Sequence, residues 1–80
     1  MLTELENTAK VVGVKQTRRA LSGGRAKTVF LARDADPALT EPLAAQAEEQ
    51  GVPVRWTDSM KALGKACGIS VGAAVAASVA

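Results

Sequence analysis

The chain has no histidine, no tyrosine and a single cysteine, Cys67. The first absence removes imidazole both as a general base and as a metal ligand, the commonest routes to proton transfer near neutral pH and to zinc binding. A lone thiol excludes an intrachain disulfide and suits a reducing cytoplasm. Aromatic side chains are limited to Phe30 and Trp56, so a core has to be assembled from small aliphatics, alanine and valine above all, in tightly packed layers. Helices laid on a sheet meet that need. The most apolar tract, Ile69 to Ala80, is too short to span a bilayer. The chain opens on an acidic amphipathic stretch rather than a basic one preceding an apolar block, so neither a signal peptide nor a membrane anchor is expected. The 80 residues provide for one domain, 1–80, with one modest core.

Charge of one sign is also missing locally. The net charge is only +2, yet from Lys10 to Arg33 there are seven bases (Lys10, Lys15, Arg18, Arg19, Arg25, Lys27, Arg33) and no acid. From Asp34 to Glu49 the balance inverts to five acids (Asp34, Asp36, Glu41, Glu48, Glu49) and no base. If each stretch keeps to one side of the fold, the molecule has a positive and a negative pole, and the positive pole is either a phosphate-facing surface or an ordinary solvated face.

What is there reads as alternating helices and short strands. Thr3 and Glu6 form a capping box, and Leu2, Leu5, Ala9 and Val12 recur at helical spacing until Gly13, which predicts a first helix. Lys15 to Ser22 reads as a second helix, ended by Gly23-Gly24. Thr28 to Ala32 is a β-branched and aromatic run suited to a strand covered on both faces. Asp36-Pro37 places an N-cap acid before a proline at the first helical position, and Leu39, Leu43 and Ala47 form the stripe of the longest helix, ended by Gly51. Val52 to Trp56 returns to strand, Ser59 caps a short helix through Met60, Leu63 and Ala66 that Gly68 closes, and Val71 to Val79 reads as a final buried strand. The fold class is therefore α/β: a three-layer α-β-α sandwich around a small mixed β-sheet.

Several constellations carry chemistry. Gly13-Val14-Lys15-Gln16-Thr17-Arg18-Arg19 puts a flexible glycine before a helix whose first turns offer backbone N–H groups, an amide and three cations. Such a terminus attracts phosphate and can direct Lys15 and Gln16 at base edges; otherwise it is a solvated helix start. Lys15 opposes its own helix dipole at a cost of roughly a few tenths of a kcal/mol, which an anion bound there would offset. Asp34 and Asp36 do not read as a metal or acid–base pair, because capping explains Asp36 and no third ligand follows. Gly23-Gly24-Arg25 lacks the length and ending of a nucleotide loop and reads as a connector. Trp56, ahead of Thr57, Asp58 and Ser59, sits either at a loop edge where an unstacked base can rest or in the core. Cys67 reads as a small buried hydrophobe rather than a nucleophile.

Three segments in this order resemble one family: the Gly13–Arg19 helix start, the Ala32-Arg33-Asp34-Ala35-Asp36-Pro37 strand-to-helix step, and Ser59-Met60-Lys61-Ala62-Leu63-Gly64-Lys65-Ala66-Cys67-Gly68. Together they look like the superfamily of ribosomal proteins L7Ae and L30e, with the nearest likeness to its small bacterial YbxF-type members. The resemblance covers nearly the whole chain. It implies a protein that is not an enzyme, needs no cofactor or metal, and binds kink-turn RNA, a duplex sharply bent at a short bulge followed by tandem sheared G·A pairs.

The family's Gly-x-Asn-Glu-x-x-Lys segment meets those guanines and nearby phosphates. Gly13 matches its glycine and Arg19 its lysine, while Lys15 replaces the asparagine and Gln16 the glutamate. Lysine and glutamine still donate to guanine O6 and N7, but acceptance from guanine amino groups falls to one amide oxygen. The resemblance places Asp36 near a bulged nucleotide and Trp56, Thr57 and Asp58 in a loop that packs on the extruded base. Gly13, Lys15, Gln16, Arg18, Arg19, Asp36, Trp56, Thr57 and Asp58 are thus the expected RNA-binding residues. The expected partners are kink-turns of ribosomal RNA or riboswitches, bound by a monomer in the cytoplasm with no membrane contact. The alternatives are a structural protein docked in the ribosome and an adaptor that has lost RNA.

Overall fold

The computed structural model describes residues 8–79. Seven elements follow in order: β1 (Lys10–Val12), α1 (Val14–Ser22), β2 (Ala26–Ala32), α2 (Pro37–Glu49), β3 (Val54–Thr57), α3 (Met60–Ala66) and β4 (Val75–Val79). The strands form one mixed sheet in the order β1-β4-β2-β3. β4 runs antiparallel to both β1 and β2, with Val11 opposite Ala77 and Phe30 opposite Ala76. β3 lies parallel to β2, with Leu31 opposite Trp56, and α2 provides the crossover that a parallel pair requires.

Strand alternation sends side chains to both faces of this sheet. On one face Leu21 of α1 and Leu43 and Ala47 of α2 close over Val29, Leu31, Val75 and Ala77. On the other, Leu63, Ala66 and Cys67 close over Phe30, Ala32 and Ala76. With α1 and α2 on one side and α3 on the other, the three-layer sandwich expected from the sequence is present. The fully buried Phe30, Leu21, Leu31, Leu43 and Leu63 anchor it, each worth about 1.5–3 kcal/mol of burial. β4 fills the middle of the sheet almost entirely with alanine and valine, which is how so few aromatics suffice.

Three expectations need correction. The first helix does not run to Gly13: Lys10–Val12 is the edge strand β1, with Val11 packed into one core and Val12 into the other, whereas Leu2, Thr3, Leu5 and Glu6 lie outside the described residues. The final strand begins at Val75, not Val71, because the Ala73 N–H donates to the Met60 carbonyl at 2.9 Å and ties the preceding segment to α3 instead. In α2, Thr40 rather than Leu39 completes the buried stripe with Leu43 and Ala47, and Leu39 is exposed.

Candidate nucleic-acid interface

Because β1 and β2 both oppose β4 and β3 follows β2, three strands point the same way. Each is followed directly by a helix, so the N-termini of α1, α2 and α3 gather on one rim of the sheet. The return from α3 to β4, residues 67–74, reaches the same rim. Two bonds join these pieces: the Gly13 N–H donates to the Val75 carbonyl at 3.0 Å, and the Ala32 N–H to the Ala74 carbonyl at 2.9 Å. Sheet rims at the carboxyl ends of strands are where α/β proteins place their ligands.

The three helix starts are not equivalent. Asp36 caps α2, its Oδ1 accepting the Ala38 N–H at 2.9 Å. Ser59 caps α3 by accepting the Ala62 N–H at 3.0 Å, and Asp34 Oδ1 takes the Met60 N–H at 2.8 Å. The start of α1 has no side-chain cap and no acid in its first turn. Its N-cap is Gly13 at φ 105°, a left-handed backbone that other residues adopt only under strain. No neighbour lies within 4 Å of the place a Cβ would occupy, so this glycine is required by conformation rather than by space. The positive end of α1 therefore stays open, with exposed Lys15 and Gln16 in its first turn and exposed Arg18 and Arg19 in the next.

The remaining expected residues divide. Asp36 is on the rim, but one carboxylate oxygen is engaged as a cap, leaving the other for a ligand. Asp58 is exposed between β3 and α3. Trp56 lies within β3 rather than in the loop; it is opposite Leu31, hence on the α2 side of the sheet, and 43% exposed. Neither a core tryptophan nor a loop residue, it stands on the sheet's edge strand. Thr57 is buried, its hydroxyl donating to the Leu31 carbonyl at 3.3 Å, which ties β3 to β2 rather than presenting the side chain outward. The basic run from Lys10 to Arg33 does not form one pole: Lys15 and Arg33 sit at the rim, whereas Arg25 and Lys27 lie at the far end, beyond the C-terminus of α1.

The structure adds residues to the rim. Val71 is 69% exposed, and Ile69 and Met60 are exposed beside it in chain or by contact. The Val71 segment is held on α3 by close approach: a side chain at Gly64 would collide with the Val71 carbonyl oxygen, and one at Gly72 would come within 3.1 Å of Met60 Cβ. The signal in the sequence was Gly68 and Gly72 bracketing Ile69-Ser70-Val71, which is turn punctuation rather than a strand start. Thr17 of α1 faces the sheet, fully buried, with its hydroxyl unpartnered among the described residues. Among those residues no cluster of three or more His, Cys, Asp or Glu could hold a metal, and no helix is long and apolar enough to cross a membrane.

The described residues thus form an α-β-α sandwich whose rim carries one open, cation-flanked helix start. Residues 2–80 match the Ribosomal protein L7Ae/L30e/S12e/Gadd45 family, and the chain belongs to it. It is 55% identical over 67 residues to the RNA-binding protein YbxF of Geobacillus stearothermophilus, covering 84% of this chain and 82% of that one. An RNA-binding protein of Bacillus pumilus is 52% identical over the same shares of each chain. Among solved structures, the Giardia lamblia 15.5kD RNA binding protein superposes with a TM-score of 0.92 at 31% identity, over 99% of this chain and 70% of that one.

Proposed function

We propose that the chain binds RNA without carrying out a chemical step, and that its target is a kink-turn. The observation that carries this reading is the open N-terminus of α1. Of three helix starts on one rim, it alone has no side-chain cap, and it presents Lys15 and Gln16 outward. A backbone terminus with free donors and a positive dipole end takes a phosphate or a guanine edge. An ordinary A-form duplex hides its major groove, while a sharp bend opens it to a helix end. Arg18 and Arg19 supply phosphate attraction, and Asp36 retains an oxygen for an unpaired nucleotide. Val71, with Ile69 and Met60, offers the apolar cover that an unstacked base needs; Trp56, near the rim end of β3 but on the α2 side of the sheet, lies on the face opposite the one on which α3 carries that loop and meets RNA only if the bound molecule reaches β3. The named RNA-binding relatives at 52–55% identity support the same reading.

The test is a titration at fixed salt against a kink-turn and the same duplex with its G·A pairs replaced by Watson–Crick pairs. Tight binding to the first and much weaker binding to the second is the expected result, and affinity for the kink-turn should fall steeply as salt rises. Equal binding to both RNAs would reduce the protein to a basic RNA-associating domain. The family includes ribosomal proteins, so sedimentation separates the two settings: a ribosomal component travels with the subunits, and a free regulator stays in the supernatant.

A further inference from the structure

Trp56 stands apart from the apolar loop on α3, and the strand that carries it is open. β3 ends the sheet, with no strand beyond it among the described residues. The N–H groups of Val29 and Arg33 donate to the carbonyls of Pro53 and Thr57, each at 2.9 Å. In a parallel pair such bonds fall on every second residue of a strand. Pro53, Arg55 and Thr57 therefore turn their main-chain groups to β2, while Val54 and Trp56 turn theirs outward. Open edges of this kind are usually blunted by charged side chains. The α3 side of β3 has Arg55, but the α2 side shows Trp56, 43% exposed, and the half-buried Val54.

The helix above this edge sets the sign of what can lie there. Thr40, Leu43 and Ala47 turn α2 toward the sheet. Gln46, whose Nε2 donates to Ser22 Oγ at 3.3 Å, marks the flank that meets α1. At about 100° per residue, Glu41 and Glu48 fall on the opposite flank. α1 packs mainly on β4, β1 and β2, and α2 on β2 and β3, so the flank away from α1 overhangs the β3 edge. Both glutamates are exposed, and α2 carries no base. An RNA backbone laid along β3 would meet these acids. Two copies of the chain pairing β3 with β3 about a twofold axis would bring two acidic flanks together. A cationic strand meets neither objection.

We propose that β3 takes an extended, arginine- or lysine-rich segment of a partner protein as an added strand, one of its cations resting on the Trp56 ring and its neighbours facing Glu41 and Glu48. Main-chain bonds to Val54 and Trp56 supply affinity in such an arrangement, and alternate side chains supply specificity. Every second side chain of the added strand falls on the α2 side. A segment with a cation at every second position thus presents all of them to Trp56 and the acids. Its other positions lie on the α3 side beside Arg55 and suit uncharged residues. α2 stands between this edge and α1, so the segment leaves the open start of α1 uncovered.

The experiment titrates the whole chain, labelled for NMR, with three synthetic peptides. One alternates arginine and valine, one has glutamate in place of arginine, and one is the arginine peptide N-methylated at every peptide bond, which removes its main-chain donors. The arginine peptide should shift the amide signals of Val54 and Trp56 and the Trp56 indole, leaving those of α1 in place. The other two should bind about tenfold more weakly, the equivalent of one or two lost hydrogen bonds or charge contacts. Trp56→Leu should weaken the arginine peptide by about two- to fivefold, as an exposed cation–π contact implies, and E41Q/E48Q should remove most of its salt dependence. No binding of the arginine peptide, equal binding of either control, or shifts confined to residues away from β3 would overturn the proposal. Shifts at Val54 and Trp56 that grow with protein concentration alone would assign the edge to a second copy, and shifts there on adding a straight RNA duplex would assign it to RNA; either result overturns the added strand.

Discussion

Replacing Gly64 by alanine tests how the apolar loop is held. In an exposed helix interior that change stabilises by about 1 kcal/mol, because alanine is the better helix former. Gly64 is buried, and its missing side chain is where the loop from residue 69 to 72 crosses α3. An alanine Cβ would overlap the Val71 carbonyl oxygen and stand 3.1 Å from Gly72 Cα. Since non-bonded heavy atoms settle at roughly 3.5–4 Å, the loop backbone has to retreat by on the order of 1 Å. The retreat strains the bond from the Ala73 N–H to the Met60 carbonyl, 2.9 Å long, whose loss costs about 1 kcal/mol. Overpacking adds about 1–3 kcal/mol. Against the helix gain, the net expectation is a loss of about 1–3 kcal/mol, a fall in Tm of about 4–24 °C for a chain of this size. Thermal unfolding followed by circular dichroism reads it directly. A Tm unchanged or raised would refute the reasoning, since it would mean the loop has room that the structure denies it. In RNA titrations the variant should lose discrimination for the kink-turn over the straight duplex, because Val71 moves with its backbone.

Two further outcomes follow from buried groups. Thr17→Val should be neutral or stabilise by up to about 1 kcal/mol in urea unfolding, because the hydroxyl it removes is buried without a partner; a clear loss of stability would show that the hydroxyl is satisfied in solution. Burial pushes the Cys67 thiol above its usual value, with the Lys10 ammonium pulling part of the way back. The folded state then holds that proton more tightly than the unfolded chain, so the contribution is complete below the unfolded pKa and is lost as pH rises through the folded one. Urea midpoints of the unaltered protein should therefore drop more between about pH 8 and about pH 10 than those of Cys67→Ala, and equal drops would assign the pH dependence elsewhere.

Where local chemistry decided the structure, the sequence was legible. Asp36-Pro37 and Ser59 mark the starts of α2 and α3 and cap them as read, and Gly13 marks the start of α1. Long-range pairing decided the rest. Val12 fits a helical spacing with Ala9 as well as it fits a strand, and the pairing with β4 beside it selects the strand. Val71 continues an apolar pattern into β4, but Gly64 and Gly72 draw its segment onto α3, a contact no local window contains. The rim residues of α1 could be named from spacing alone. The resemblance places Thr57 in a loop, whereas its side chain is buried and its hydroxyl donates to the Leu31 carbonyl inside the sheet.

The strand order has a bearing on how the protein is made. β1 and β2 share no hydrogen bonds; both pair with β4, which follows the other described elements in the chain and lies between them. Without β4, β1 has no strand partner among the described residues, while β2 and β3 remain paired through the α2 crossover. A chain that has yet to place β4 has apolar strand edges uncovered, and closing the sheet is a non-local step of the kind that slows folding. A substitution in β4 is felt first as a delay in reaching the native state, at the moment when exposure to chaperones and proteases is greatest.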